Sequence, residues 1–132
     1  MSDRATASIA VRSWSPTTIT EASGISVVRI SVEEGFDGDI NGDGTAELIQ
    51  VLRVDGSASF VAVERVTGTL AGRSRSFILQ DSGTLDTEGR VDGEWFVVEG
   101  SGTDELTGLR GSGGFSAKLG EHAEAHLDYT FG

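Results

Sequence analysis

Residues 55–85 read DGSASFVAVERVTGTLAGRSRSFILQDSGTL, and this stretch decides the fold. Apolar and β-branched residues alternate with polar ones through it, which is the period of a half-buried β-strand. Asp55-Gly56 precedes the first alternating run, and Ala71-Gly72 separates it from the second. Such pairs are typical of tight turns between antiparallel strands. The stretch therefore predicts two neighbouring strands, over 57–70 and 74–85.

The same alternation extends along the chain in both directions. No helical period of useful length interrupts it, although the centre of the glycine-rich stretch has room for one helical turn over 104–109. Eight strands joined by short turns predict an all-β fold, a single domain over 1–132 closed as an eight-stranded antiparallel barrel, with a β-sandwich as the alternative. The remaining strands are predicted over 4–14, 25–36, 45–54, 90–99, 115–119 and 123–131, with a loop or short irregular strand over 17–24 and a Gly/Asp/Asn turn over 37–44.

Composition limits the classes of partner. The chain of 132 residues has a net charge of −11, which repels phosphate backbones and anionic lipid headgroups. Nucleic acid and membrane are therefore not expected as partners. The absence of cysteine excludes disulfides and thiolate chemistry. Because the first residues lack the apolar core of a signal peptide and no later run could span a bilayer, a cytoplasmic location is expected.

Two glutamates on the central hairpin are candidate catalytic groups. A two-residue turn at Asp55-Gly56 places Glu47 directly opposite Glu64, on a face that is otherwise apolar and points inward. Two carboxyl groups close together in such a place cannot both ionise cheaply, so the pKa of one of them rises. This register predicts an acid and a base side by side.

A three-residue turn with a bulge at Gly56 is the alternative register. It pairs Arg53 with Ser57, and Glu47 then points away from the face that carries Glu64. That face holds in addition Phe60, Leu52, Gln50 and Leu48.

A second candidate group, Asp81, ends an apolar stripe formed by Phe77 and Leu79 on one strand face. Such a position is typical of a barrel mouth, where a binding site would lie. Tyr129 could donate a hydrogen bond to a substrate oxygen. The predicted catalytic residues are thus Glu64, Asp81, Glu47 and Tyr129, and the predicted ligand-binding residues are Phe60, Leu48, Gln50, Leu79 and Trp95.

Two patterns resemble metal sites but do not predict one. Residues 39–44 follow the calcium-loop pattern Asp-x-Asn-x-Asp-Gly, yet its twelfth position is Gln50 rather than a bidentate glutamate, and no helices flank it. His122 and His126 are four residues apart on a predicted strand, a span of about 13 Å that is too long for one ion. No metal ligand is therefore assigned, and a calcium-stabilised turn is kept only as an alternative.

The stretch GSGTDELTGLRGSGGF at 100–115 is similar to a motif of the allene oxide cyclase-like barrels. The chain more closely resembles the domain of unknown function 3224 family of that superfamily, through GDINGDGTAE (38–47), residues 55–85 and the closing LDYTF. The resemblance implies a small antiparallel barrel, often in homo-oligomers, without an organic cofactor. This chain departs from the family pattern at Asp81, where histidine is usual, and at Leu48 and Leu52, near which aromatic residues are usual.

Three hypotheses of function follow. The first is a cofactor-free enzyme that isomerises, cyclises or eliminates from a small hydrophobic molecule held in a barrel pocket, since confinement and one acid–base group suffice for such reactions. The second is a non-catalytic barrel that binds small ligands. The third is a structural or interaction protein, and one form of this hypothesis includes stabilisation by calcium.

Overall fold

A computed structural model describes residues 2–132. Eight antiparallel strands each pair with the next along the chain, and the last pairs with the first, so the sheet closes into a barrel. This confirms the predicted barrel over the sandwich. The strands are β1 (Asp3–Ala22), β2 (Ile25–Gly38), β3 (Ile40–Leu52), β4 (Ala58–Leu70), β5 (Arg73–Leu85), β6 (Arg90–Val97), β7 (Leu109–Lys118) and β8 (Ala123–Phe131).

The first strand is longer than its sequence pattern indicates. Of the two alternatives predicted over 17–24, the loop is wrong and the irregular strand is the closer one, because β1 continues to Ala22 with two register shifts, near Arg12 and Ile19, against β2. Only its first part, Asp3–Ile9, pairs with β8, so the rest is an edge strand. Pro16 lies on that edge, where a residue without a backbone N–H is tolerated.

The predicted turn over 37–44 is present but shorter, because strand covers most of these residues. β2 runs to Gly38 and β3 starts at Ile40, so the chain reverses at Asp39, whose carboxylate accepts a hydrogen bond from the backbone N–H of Thr6 at 3.0 Å. The calcium-loop pattern therefore lies on extended strand instead of wrapping around one point. Asp43 forms an ion pair with Arg12 on the barrel surface.

The glycine-rich stretch contains more strand than predicted, because β7 begins six residues before position 115. The glycines of this stretch allow neighbouring strands to approach each other closely. A Cβ on Gly113 would lie 2.1 Å from the carbonyl oxygen of His126 on β8, so any side chain would push the strands apart. The predicted helical turn is confirmed as a 3-10 turn at Asp104–Leu106. No helix within residues 2–132 is long and apolar enough to cross a membrane.

One end of the barrel is filled by side chains. The first residues of β5 and β7 and the last residues of β4 and β8 meet there, and Leu106 of the 3-10 turn is buried beneath them with 0% of its surface exposed. The segment before the turn runs beside β5, where the backbone N–H of Thr103 donates to the carbonyl of Ser76 at 2.9 Å. This closed end buries Ile40, Val66, Leu70, Phe77, Leu79, Val97, Leu109, Leu127 and Tyr129.

We expect Leu106→Ala to lower the free energy of unfolding by about 2–5 kcal/mol, since it leaves a cavity in a packed core. Val54→Ala, at a residue that is 78% exposed, should change it by less than about 0.5 kcal/mol. Urea denaturation followed by circular dichroism measures both values. Equal midpoints for the two variants would show that the 3-10 turn does not plug the barrel.

Candidate functional site

The other end of the barrel holds a cavity of about 430 Å³. This volume falls within the range of roughly 300–1,000 Å³ that is usual for small-molecule sites. Most of the wall is apolar, but three inward positions carry carboxyl groups: Glu34, Glu64 and Asp81. The apolar wall includes Ile9, Trp14, Val32, Ala46, Leu48, Phe60, Ala62, Leu85, Val91, Trp95, Phe115, Ala117 and Ala123.

Strand register places two of these carboxyl groups on neighbouring strands. Glu64 on β4 lies opposite Leu79 of β5, and Asp81 on β5 lies opposite Ala62 of β4. The two acids are therefore diagonal neighbours on the inward face, about 7–8 Å apart in the geometry of an antiparallel pair. Long polar side chains can interact across that distance.

Glu34 approaches Glu64 from the other side, across β3. It lies opposite Gly44 in the pairing of β2 with β3. A Cβ added to Gly44 would lie 2.2 Å from Oε2 of Glu64, so the missing side chain makes room for the Glu64 carboxyl group. This glycine lets the carboxyl group lie against β3, towards Glu34.

Burial and repulsion between acids raise the pKa values of Glu64 and Asp81. Glu64 is 1% exposed, and neither its Oε2 nor Oδ1 of Asp81 meets a hydrogen-bond donor in the part of the chain described. The pKa of Glu64 lies well above its usual value. Burial is the main cause, and a hydrogen bond to Glu34 and repulsion by Glu34 and Asp81 add to it. The pKa of Asp81 is raised to about 7, mainly by burial and to a smaller extent by repulsion from Glu34.

The cavity therefore contains one carboxyl group whose protonated form is favoured, Glu64, and one with a pKa of about 7, Asp81. Groups whose pKa values lie near the working pH are the ones that transfer protons most effectively in catalysis. The arrangement can thus supply an acid and a base within one enclosed space.

The hairpin between β3 and β4 has the three-residue turn. The backbone N–H of Arg53 donates to the carbonyl of Ser57 at 2.8 Å, and Gly56 has a φ of +90°, which favours glycine. The predicted pairing of Glu47 with Glu64 is therefore wrong. Glu47 lies on the outer face, opposite Val63, with its carboxylate 2.7 Å from the Arg29 guanidinium.

The other predicted site residues divide into two groups. Phe60, Leu48, Gln50 and Trp95 line the cavity with Glu64 and Asp81. Leu79 and Tyr129 are buried in the closed end instead. The Tyr129 ring packs edge-on against Phe131, with ring centroids 6.0 Å apart, so the geometry brings neither residue to the cavity.

Three residues of the site were not predicted. Glu34 follows Ile30 and Val32 at every second position of β2, and this alternation was sufficient to predict an inward carboxyl group. Trp14 ends the predicted first strand, and a register shift between Val11 and Ser13 separates it from the alternation of the residues before it. Phe115 was not recognised because the glycines that precede it break the alternating pattern. The centroid of its ring lies 5.0 Å from that of Trp95.

A second depression, of about 810 Å³, lies on the outer face of the barrel and is more open to solvent. Of its four acids, Glu47 pairs with Arg29, and Asp128 accepts two hydrogen bonds from Arg4, at 2.7 and 2.9 Å. Glu94 and Asp81 also line it, and Asp81 belongs to the inner cavity as well. Glu64 and Glu34 lie only in the inner cavity, which is more enclosed, so the inner cavity is the better candidate for chemistry.

Comparisons with known proteins agree on the fold and attach no activity. A family model described as a protein of unknown function (DUF3224) matches residues 5–129. A crystal structure of a protein of unknown function from the DUF3224 family of Shewanella oneidensis MR-1 is 28% identical, with a TM-score of 0.86 over 100% of this chain and 98% of that chain. A search of curated proteins found no match. The likeness to allene oxide cyclase-like barrels stays a prediction.

Asp81→Asn should flatten the dependence of stability on pH. The folded state keeps the Asp81 proton up to about pH 7, whereas the unfolded chain releases it near 3.8. The free energy of unfolding of the wild type therefore falls as pH rises between these values, by up to about 1.4 kcal/mol per pH unit from this group. We expect the stability of the variant, relative to that of the wild type, to increase as pH rises through this interval. Thermal melts at a series of pH values measure this difference. A constant difference from pH 4 to pH 8 would contradict the raised pKa.

Gly44→Ala should destabilise the barrel by about 1–3 kcal/mol, because the new methyl group displaces the Glu64 carboxyl group. The same change should cost less in a Glu64→Ala background, where that contact no longer exists. A double-mutant cycle by urea denaturation measures the coupling free energy. Additive effects would show that Gly44 does not make room for the carboxyl group.

Proposed function

The chain belongs to the DUF3224 family, and we propose that it binds a small hydrophobic molecule in the barrel and transfers protons to and from it through Glu64 and Asp81. The reaction class is isomerisation, cyclisation or elimination. Each of these needs a proton removed at one atom and a proton delivered at another, on a substrate held in place.

One observation carries this proposal. Two carboxyl groups, Glu64 and Asp81, line an apolar cavity and are buried with oxygen atoms that lack donors among residues 2–132. An unpartnered buried polar group costs roughly 1–3 kcal/mol, and well-packed apolar residues at these positions would avoid that cost. Perturbed acids in a cavity are a recognised mark of functional sites, although structural pairs also produce them. Here no basic side chain pairs with either acid within the part of the chain described.

The two acids have different roles in this proposal. Burial and the neighbouring acids favour the protonated form of Glu64, so in this proposal Glu64 donates a hydrogen bond or a proton to the substrate. Asp81 ionises near pH 7, so its carboxylate removes a proton from the substrate. Glu34 is a positioning residue, because it accepts the hydrogen bond of protonated Glu64. A proton returns from Asp81 to product or solvent after each cycle.

A non-catalytic binding barrel is the second candidate. The observation that favours it is the aromatic wall formed by Trp95, Phe115 and Phe60, which suits a flat apolar ligand without any reaction. A structural or interaction protein would have no need of a cavity at this end. The cytoplasmic location expected from the sequence and the homo-oligomer implied by the family resemblance remain predictions.

Proton transfer can be tested with 5-nitrobenzisoxazole, a small aromatic molecule that opens when a base removes its C3 proton. The electrons of the C–H bond form the nitrile while the N–O bond breaks, which releases a coloured phenolate. Asp81 would take the proton and Glu64 would hydrogen-bond to the departing oxygen. We expect kcat/KM to rise through about pH 7 and to fall at least about 100-fold in Asp81→Asn.

Glu124→Gln is the matched control, since Glu124 is exposed on the outer face of β8. Its kcat/KM should equal that of the wild type. Equal rates for the wild type and Asp81→Asn would reject the acid–base role of Asp81. Binding of the probe by calorimetry, with no turnover above the rate of free acetate, would leave the non-catalytic barrel as the function.

A further inference from the structure

The titratable groups that face the cavity are almost all acidic. β2, β4 and β5 contribute Glu34, Glu64 and Asp81, and the turn after β7 contributes Glu121. β7 contributes one base, Lys118, while the lining residues from β1, β3, β6 and β8 carry no titratable side chain. Because low-dielectric walls focus the field of such a set, the cavity attracts positive charge.

Lys118 does not neutralise the inner acids. It is the last residue of β7, exposed at the mouth, and it lies opposite Arg90 of β6. A backbone hydrogen bond from Arg90 is the main cause of the lowered pKa of Asp86, in the turn between β5 and β6, and the charge of Lys118 adds to it. The acids in the wall are left without a basic partner from the described part of the chain.

Hydrogen-bond donors are equally scarce inside. Nε1 of Trp95 already donates to the carbonyl of His126 at 3.0 Å. Oε2 of Glu64 and Oδ1 of Asp81 have no donor within residues 2–132. The cavity thus offers acceptors and few donors: the Lys118 ammonium group and the Trp14 indole near the mouth, the amide of Gln50, and the acids when they are protonated. A ligand that brings donors and positive charge complements this surface.

We propose that the ligand of this cavity is an organic cation, a protonated amine carried on a flat apolar body. This proposal rests on the proposed function, whose binding site it shares. An ammonium group has three donors for the carboxylates, and the faces of Trp95, Phe115 and Phe60 attract a cation as well as the apolar body. A ligand carboxylate would meet like charge at the same place.

Binding of an amine should release protons. The raised pKa values of Glu64 and Asp81 favour their neutral forms in the empty cavity, and the ammonium group favours their charged forms. The affinity for an amine therefore rises with pH through about 7, while that for a neutral ligand does not. The enthalpy of amine binding should depend on the ionisation enthalpy of the buffer.

Tryptamine, tryptophol and indole-3-acetate form a matched set of probes, because the same indole carries an ammonium, a hydroxyl or a carboxylate group. Isothermal titration calorimetry at pH 8 and moderate salt measures their affinities for the full chain. We expect tryptamine to bind at least about ten-fold more tightly than tryptophol, with one site per chain. Indole-3-acetate should bind at least about ten-fold more weakly than tryptophol.

The doubly substituted variant Glu64→Gln/Asp81→Asn should lose the preference for tryptamine and keep its affinity for tryptophol. Both changes conserve shape and remove buried acids, and thermal melts check that the barrel remains folded. Glu124→Gln, which removes one exposed charge outside the cavity, should keep the full preference. That control separates binding in the cavity from general attraction of amines to an acidic protein.

The outcomes distinguish the two proposals. If tryptophol binds as tightly as tryptamine, the cavity is a small-molecule site but the cation proposal is wrong. If Glu124→Gln reduces the preference as much as the double variant does, the cation binds to the surface and the proposal is again wrong. If no probe binds at millimolar concentration, the cation proposal and the proposed function both fail.

Discussion

Closure of the sheet is the constraint on which the rest of the structure depends. Residues Asp3–Ile9 of β1 pair with Ala123–Tyr129 of β8, and this contact turns a row of hairpins into a ring. Because side chains alternate with a period of two, a closed ring assigns each strand position to the inside or the outside. A carboxyl group at an inward position then has no route to bulk water except through the open end. The raised pKa values of Glu64 and Asp81 follow from that closure.

The alternation was enough to predict eight strands and the barrel, but not the register of the central hairpin. Asp55-Gly56 suits both a two-residue and a three-residue turn, and a shift of one residue exchanges the inner and outer faces of β3 against β4. Glu64 was placed correctly in both registers because it shares a face with Phe60, whereas the position of Glu47 depended on the turn. The side chains of β3 distinguish the two registers. The three-residue turn buries Ala46 and leaves Glu47 outside, paired with Arg29.

Glycine was the main source of error in the predicted strands. Glycine clusters indicate turns when the sequence is considered alone. In this barrel Gly42 and Gly68 lie opposite each other within paired strands, and Gly93 lies opposite Phe115. A Cβ on Gly93 would be 2.3 Å from the Phe115 ring, so this glycine accommodates an aromatic side chain from the neighbouring strand. Such contacts join residues distant in sequence, and no local pattern reveals them.

The size of inward side chains explains why one end of the barrel is solid and the other holds a cavity. An eight-stranded barrel is just wide enough for side chains to fill its interior. Large residues, among them Phe77 and Leu127, occupy the closed end. At the open end the inward positions of β3, β4, β7 and β8 carry small residues: Gly44, Ala46, Ala62, Ala117 and Ala123. The closed end can supply the apolar burial that stabilises the fold, so the open end can hold acids that destabilise it. Stability and chemistry are thereby separated along one barrel axis, and substitutions at the two ends should affect different properties.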